Sequence, residues 1–385
     1  MRPLILEIQT AHTPESLVER LLNRQSNVVL LRSNSFDSPR ARYSFVTANP
    51  FLTFRSFGSR CEITNCQLPT SNSQLHFGNP WRILDSLMAR CELLDEIDLP
   101  FPLGGCFGFW GYDLKNFTEP KLPRRAIADL ELPDCAVGFY DSLVVFDHQL
   151  GKNFIISTGL NADGSRSHTK ANERLEFWRN VSGRDGVPPS LINSEKMGQR
   201  HAVPPKSNFS RADFISAVER AQKYIRAGDI YQVNLSQRLT AGLPRWGEGA
   251  DEPLLENAPA REDAHPTKFS GWEFFQKLTA VSPAPFSAFF DCGSGSGHGP
   301  FQIVSSSPEQ FLRMSGSHIL TRPIKGTRPR DADATHDAQL AYELQTSAKE
   351  LAELVMITDL LRNDLGKVCE FGSVQTPEIA KLEKF

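Results

Sequence analysis

The feature that most restricts the fold of this sequence is a change of period at Gly228. Ahead of it, Phe214, Val218, Ala221 and Ile225 recur at helical spacing behind a Ser210-x-x-Asp213 capping signature, and the glycine closes the helix. Beyond it, Tyr231, Val233, Leu235 and Leu239 alternate with Gln232, Asn234, Ser236 and Arg238, which predicts a strand with one core face and one polar face. Such alternation suits antiparallel sheets, whose two faces meet different surroundings.

The rest of the chain is organised around similar short segments. Up to about residue 150, strands at Val28 to Arg32, Tyr43 to Val46 and Ser142 to Phe146 are separated by turns. Residues 161–206 are polar and read as a linker region, with a short helix suggested at Leu175 to Trp178. A Pro-rich excursion from Leu243 to Thr267 reads as a surface loop, and helix resumes at Trp272 to Leu278. Strands Pro308 to Met314 and His318 to Ile324 flank Ser315-Gly316-Ser317 as a hairpin. A helix over about 336–362 carries Leu340, Leu344, Leu351, Leu354, Val355 and Leu361 on its apolar side, and Gly366 ends it. Leu103 to Leu114 is too aromatic for a phosphate-cradling loop, so its glycines read as close backbone packing in a sheet.

With 385 residues and 40% hydrophobic content, the chain can bury the core of about two domains or one composite one. A net charge of −3 without a basic block argues against nucleic-acid binding. The N-terminal MRPLILEIQT has too short an apolar stretch for a signal-peptide core, and no run approaches the ~18 residues of a membrane span, so the expectation is a cytoplasmic protein. Its seven cysteines are odd in number and scattered, which suits reduced, mostly buried thiols.

Two groups could carry chemistry. If the hairpin turns through three residues centred on Gly316, Glu309 faces Pro323 and Lys325 lies one step further along the same face; a two-residue turn would put the two on opposite faces. A carboxyl and an amine placed together could exchange protons, and the amine could act as a nucleophile; a surface Lys-Glu pair is the plainer reading. Glu353 sits in a nearly continuous apolar helix with Glu350 one turn before it, so the two carboxylates share a face. They form either a solvated helix edge or a site for a basic partner or a hard cation such as Mg²⁺.

Several segments together resemble the chorismate-utilising enzymes, the large subunits of aminodeoxychorismate synthase and anthranilate synthase. These are Gly228-Asp-Ile-Tyr-Gln-Val-Asn-Leu-Ser-Gln-Arg238, Ser306-Ser-Pro-Glu309, Pro323-Ile-Lys-Gly-Thr327 and Ala352 to Gly366, with Arg42-Tyr-Ser-Phe45 and Gly104 to Asp113. The resemblance implies an α+β fold of stacked antiparallel sheets with outer helices, divided into an N-terminal domain (1–160), the linker region (161–206) and a chorismate-binding catalytic domain (207–385). It also implies that Glu353 and Glu350 hold Mg²⁺ against a chorismate carboxylate, and that Gly326, Thr327 and Gln232 contact substrate.

Within the family, Pro-Ile-Lys-Gly-Thr marks the enzymes that make aminodeoxychorismate on the way to p-aminobenzoate and folate, whereas anthranilate synthases carry Ala at the lysine position. Lys325 is thereby implied as nucleophile and Glu309 as general acid and base. Gln232 stands where water-activating relatives carry a lysine, which argues against water as nucleophile. Arg32, in Leu30-Leu-Arg-Ser33, replaces the acidic residue of a tryptophan pocket in relatives and argues against tryptophan binding. The partner implied is a glutamine amidotransferase subunit that supplies ammonia. The alternatives are an anthranilate synthase large subunit of tryptophan biosynthesis and an inactive chorismate-binding remnant. The family pattern continues beyond Phe385, so the expectation is a C-terminally truncated chain that is inactive or poorly folded alone.

Overall fold

The computed structural model describes residues 2–22, 24–33, 41–68, 72–93, 97, 99–125, 129–183, 205–242, 270–293 and 299–383. In chain order the elements begin with β1 (Leu4–Ile8), α1 (Pro14–Leu22), β2 (Val29–Arg32), β3 (Tyr43–Thr47), β4 (Leu52–Phe57), β5 (Arg60–Asn65), β6 (Asn72–Phe77) and α2 (Pro80–Arg90). Then come β7 (Gly105–Trp110), α3 (Lys115–Thr118), β8 (Cys135–Tyr140), β9 (Ser142–Asp147), β10 (Lys152–Ser157), α4 (His168–Ser182), β11 (Lys206–Ser207), α5 (Arg211–Ala227) and β12 (Leu239–Thr240). The last are α6 (Gly271–Val281), β13 (Phe286–Asp291), β14 (Gln302–Ser307), β15 (Arg313–Ser315), β16 (His318–Leu320), α7 (Ala334–Thr346) and α8 (Ala348–Gly366).

Among the described residues, seven strands pair antiparallel in the order β1-β10-β9-β3-β2-β13-β14, and five pair as β6-β5-β4-β8-β7. Period-two alternation gives the larger sheet two apolar faces. Leu30, Val46, Val144, Phe146, Ile155 and Phe289 form one, against Leu17, Leu21, Trp178, Trp272 and Phe275 of helices α1, α4 and α6. Their neighbours Val29 and Phe290 turn the other way, toward Phe107 and Phe109 of β7, while Leu143, Val145 and Ile156 pack around Phe101. The smaller sheet buries Phe54, Cys61, Val137 and Phe139 against Leu84 and Leu87 of α2. The fold is therefore α+β, with stacked antiparallel sheets and helices outside them.

Close packing explains Gly108 of β7. Gly108 has φ +158°, and a Cβ there would lie 2.1 Å from the Ala136 carbonyl oxygen of β8. Strands β2, β3 and β9 fall where β-branched and aromatic residues predict them, and α5 runs from its Ser210 cap, whose Oγ accepts from Asp213 N–H at 3.1 Å, to Gly228 at φ +79°.

Three expectations are corrected. The segment over Tyr231 to Leu239 has no regular structure except at its end, where only Leu239–Thr240 pairs, with Lys206–Ser207. A strand needs a partner ladder, and the described residues provide it for those two positions alone. The helix over 336–362 is two helices, because Ser347 leaves helical geometry at ψ 107° and caps α8. The hairpin turns through two residues, Gly316 and Ser317, since Ser315 pairs His318 and Arg313 pairs Leu320. Gly316 at φ +56° takes the left-handed conformation such short turns demand.

The contacts also divide the chain differently from the boundaries read in the sequence. One compact unit joins residues 1–187 and 271–385, and a second spans 188–270. In the first, β13 pairs with β2, so residues 286–291 complete the sheet begun near the N-terminus. Within 161–206, α4 packs Trp178 into the core and donates its indole N–H to Ser142 Oγ at 3.0 Å, whereas residues 184–204 lie outside the described residues, as do 243–269 and 294–298. The cysteines are free thiols: Cys61, Cys135 and Cys292 are buried, Cys66 is exposed, and burial pushes the Cys61 thiol up to about 11. No helix among the described residues is long and apolar enough to cross a membrane.

Candidate active site

The candidate residues of the first unit meet where the chain leaves β16 and runs past α7 and α8. Ser347 sets this arrangement. Its hydroxyl accepts from Glu350 N–H at 3.4 Å, starting α8 so that Glu350 lies in its first turn and Glu353 one turn later on the same side. Ser347-x-x-Glu350 is a capping-box spacing, the signal in the sequence that marks this helix start.

Opposite these carboxylates runs Lys325-Gly326-Thr327-Arg328. Lys325 Nζ stands 3.5 Å from Glu353 Oε1, and Arg328 Nη1 stands 3.5 Å from Glu350 Oε1. Between them Gly326, at φ +73°, brings the backbone so close that a Cβ would lie 2.8 Å from Leu344 Cδ1 and 3.0 Å from Glu350 Oε2. The backbone conformation disfavours a side chain there, and one would have to displace the Leu344 and Glu350 side chains. The Thr327 carbonyl accepts from Arg328 Nη1 at 2.8 Å.

Glu309 reaches this segment in a manner the two-residue turn explains. With the hairpin in that register Glu309 comes opposite Ile324 rather than Pro323, and its Oε1 accepts from Ile324 N–H at 3.1 Å. The expected shared face for Glu309 and Lys325 is therefore replaced by a carboxylate bound to the backbone one residue before Lys325. Ser307 Oγ holds the start of this arm, accepting from Glu309 N–H at 3.4 Å and donating to the Glu309 carbonyl at 3.2 Å. Gln232 belongs to the second unit, half-buried in the irregular segment after α5, with its Oε1 lacking a hydrogen-bond partner among the described residues.

Lys325, Gly326, Thr327, Arg328, Glu350 and Leu354 line a cleft of about 360 Å³, within the usual size range of small-molecule sites. The cleft combines paired charges with an apolar floor from Leu344, Leu351 and Leu361. Among the described residues no three His, Cys, Asp or Glu side chains converge as a ready-made metal cage. Glu350 and Glu353 still fit Mg²⁺, which keeps several waters and takes one or two protein carboxylates along with substrate oxygens. Lys325 and Arg328 supply positive charge at those two carboxylates in this structure.

The pairing of Arg328 with Glu350, and of Arg330 with Asp337, was not foreseen from the sequence, because neither follows from the period of a single element. At the position read as arguing against a tryptophan pocket, Arg32 bonds to Glu15 and donates to the Ser33 carbonyl at 2.7 Å.

Comparison with known proteins gives the family. The family of chorismate binding enzymes matches residues 36–385. Aminodeoxychorismate synthase component 1 of Escherichia coli (strain K12) is 33% identical over 359 residues, which are 93% of this chain and 67% of that protein. Anthranilate synthase component 1 of Acetivibrio thermocellus is 30% identical over 395 residues, covering 100% of this chain and 71% of that protein. The crystal structure of anthranilate synthase component I from Streptococcus pneumoniae TIGR4 superposes with a TM-score of 0.64 at 25% identity, over 97% of this chain and 71% of that one. With a family match that spans most of its length, the chain belongs to the chorismate binding enzymes.

Proposed function

We propose that this chain is the large subunit of an aminodeoxychorismate synthase, converting chorismate and ammonia into 4-amino-4-deoxychorismate, with Lys325 as nucleophile. The observation that carries the reading is the place of the Lys325 amine, 3.5 Å from Glu353, on a segment that lines the cleft and whose preceding residue, Ile324, is bound by Glu309. Similar proteins bear both the aminodeoxychorismate and the anthranilate synthase names, so overall likeness does not choose between them. The lysine in Pro323-Ile-Lys-Gly-Thr327 favours the first.

In this mechanism Glu309 takes the proton that the Lys325 amine sheds and passes it to the ring oxygen as the amine attacks the chorismate ring, so that the hydroxyl departs as water. Ammonia then displaces the lysine, whose amine is regenerated, and the ring carries an amino group where the hydroxyl was. Gly326 and Thr327 present backbone to the substrate beside the lysine. Glu353 and Glu350 would hold Mg²⁺, which when bound fixes a substrate carboxylate and offsets its charge. Ammonia would come from a glutamine amidotransferase subunit.

Product analysis by mass spectrometry tests this. The chain is given chorismate, Mg²⁺ and ammonium, with Lys325→Ala alongside. Aminodeoxychorismate from the wild type, reduced on the order of a hundredfold or more in the variant, is expected. Anthranilate as product would move the chain to the other branch, and no product from either would leave a chorismate-binding chain without turnover.

A further inference from the structure

Besides the Lys325–Glu353 pair, the segment that carries Lys325 is fastened to the α7–α8 pair at two further places, of which only the first belongs to the site described above. The first is Gly326 against Leu344 and Glu350, with Arg328 paired to Glu350. The second lies further along. Arg330 donates Nε to Asp337 Oδ1 at 2.8 Å and Nη2 to Asp337 Oδ2 at 3.0 Å, a two-pronged contact, and Asp331 N–H donates to the same Oδ1 at 3.2 Å.

Around this carboxylate the loop is folded on itself. Asp331 Oδ1 accepts from Asp333 N–H at 2.8 Å, its Oδ2 meets His336 Nδ1 at 2.7 Å, and Asp333 caps α7 by accepting from His336 N–H at 2.8 Å. Asp337 is the partly sheltered member, with its side chain 16% exposed against 50% for Arg330. Since α7 packs against α8, a tie at Asp337 fixes the lysine segment to the same body that carries Glu350 and Glu353.

We infer that Asp337 and Arg330 form a positioning clamp: they hold the far end of the Lys325 segment to α7, so that the Lys325 amine stays at Glu353 rather than swinging with a loose loop. Neither residue is a catalytic group in this assignment. The gain is geometric, since a reacting group displaced by ~1 Å can lose on the order of a hundredfold in rate. A lone exposed ion pair would not suffice, but a bidentate guanidinium–carboxylate contact reinforced by a backbone donor has the fixed geometry that makes such pairs matter. The kinetic consequence rests on the function proposed above, whereas the geometric one does not.

The test therefore has two arms on the full chain. In the first, a zero-length carbodiimide reagent joins amines to carboxylates already in contact, and mass spectrometry quantifies the Lys325–Glu353 crosslink against the Lys381–Glu378 crosslink as internal control. Asp337→Ala and Arg330→Gln are each expected to lower the Lys325–Glu353 yield about fivefold or more while leaving the control unchanged, and Asp337→Glu to restore most of it. In the second arm, Asp337→Ala is expected to lower kcat about tenfold with KM within about twofold, again recovered by Asp337→Glu.

Crosslinking in Asp337→Ala and Arg330→Gln equal to wild type overturns the clamp. If Asp337→Ala fails to fold, Arg330→Gln at its half-exposed position decides. If the wild type makes no aminodeoxychorismate, the proposed function falls and the crosslinking arm still judges the clamp by itself.

Discussion

At the scale of single residues, charge placement in the first unit follows a simple logic in which a half-buried polar group survives because a neighbour dictates its protonation. His148 shows this most clearly. Ser44 Oγ lies 2.7 Å and Arg32 Nη1 3.2 Å from its Nε2, and both are donors there, so that nitrogen must accept. Burial, then the Arg32 charge, holds the imidazole down at about 4, against a usual value near 6.5. The folded chain thus keeps a neutral ring over a range in which the unfolded chain takes up a proton. By linkage, stability falls as the pH drops from about 6.5 toward 4, by up to about 1.4 kcal/mol per pH unit, and the contribution is fully present above 6.5. The expected result is a urea midpoint that declines between pH 7 and pH 5 in the wild type and declines distinctly less in His148→Gln. Equal slopes in the two proteins would show that another group governs acid sensitivity.

At the scale of elements, a helix start decides where the carboxylates of the candidate site stand. Ser347→Ala removes the acceptor for Glu350 N–H and is expected to cost about 1 kcal/mol, since α8 then begins with an unsatisfied donor. The denaturation midpoint should fall accordingly, and product formation should drop further than that cost explains, because the first turn of α8 carries Glu350. An unchanged rate would show that α8 is placed by packing alone. This element also shows what could be read from the sequence. Helix α5 was legible because its start and stop are both local, a Ser210 cap and a left-handed Gly228. The break before α8 was hidden because the apolar positions keep helical spacing across Ser347, so periodicity saw one helix where capping makes two. The strand after Gly228 failed for the opposite reason: alternation is local, but a ladder depends on which segment lies alongside. The hairpin was legible as a hairpin, while its register turned on whether the loop holds two residues or three. Lys325, Glu309, Glu350 and Glu353 stood out as candidates from the hairpin and the helix face and were given roles only by their segments' likeness to a family, whereas their contacts, including Arg328 with Glu350, became visible only in the fold.

At the scale of the whole molecule, the larger sheet of the first unit is completed by residues far apart in sequence. Strand β2 pairs with β3 on one side and with β13 on the other, Leu30 lying between Val46 and Phe289. Phe289 is fully buried and stacks edge-on against Trp272, which itself lies face to face with Phe275. The aromatic lid over α1 and the sheet is thus made by residues 272–289, whereas the surface it covers is made by residues 17–46 and 144–155. Ordering strands across such separations is slow and cooperative, because loop closure is paid before the contacts form. A polypeptide of residues 1–187 would keep β1 to β10 but would leave β2 as an unpaired edge and uncover Leu17, Leu21 and Leu30. It is expected to aggregate, or to lack a cooperative unfolding transition followed by the fluorescence of buried Trp178. In the full chain, Phe289→Ala is expected to cost about 3–5 kcal/mol, as aromatic truncations in close-packed cores do. A 1–187 fragment that stays monomeric and unfolds cooperatively, together with a Phe289→Ala cost near zero, would show that the N-terminal half carries its own core and that β13 merely rests on its edge.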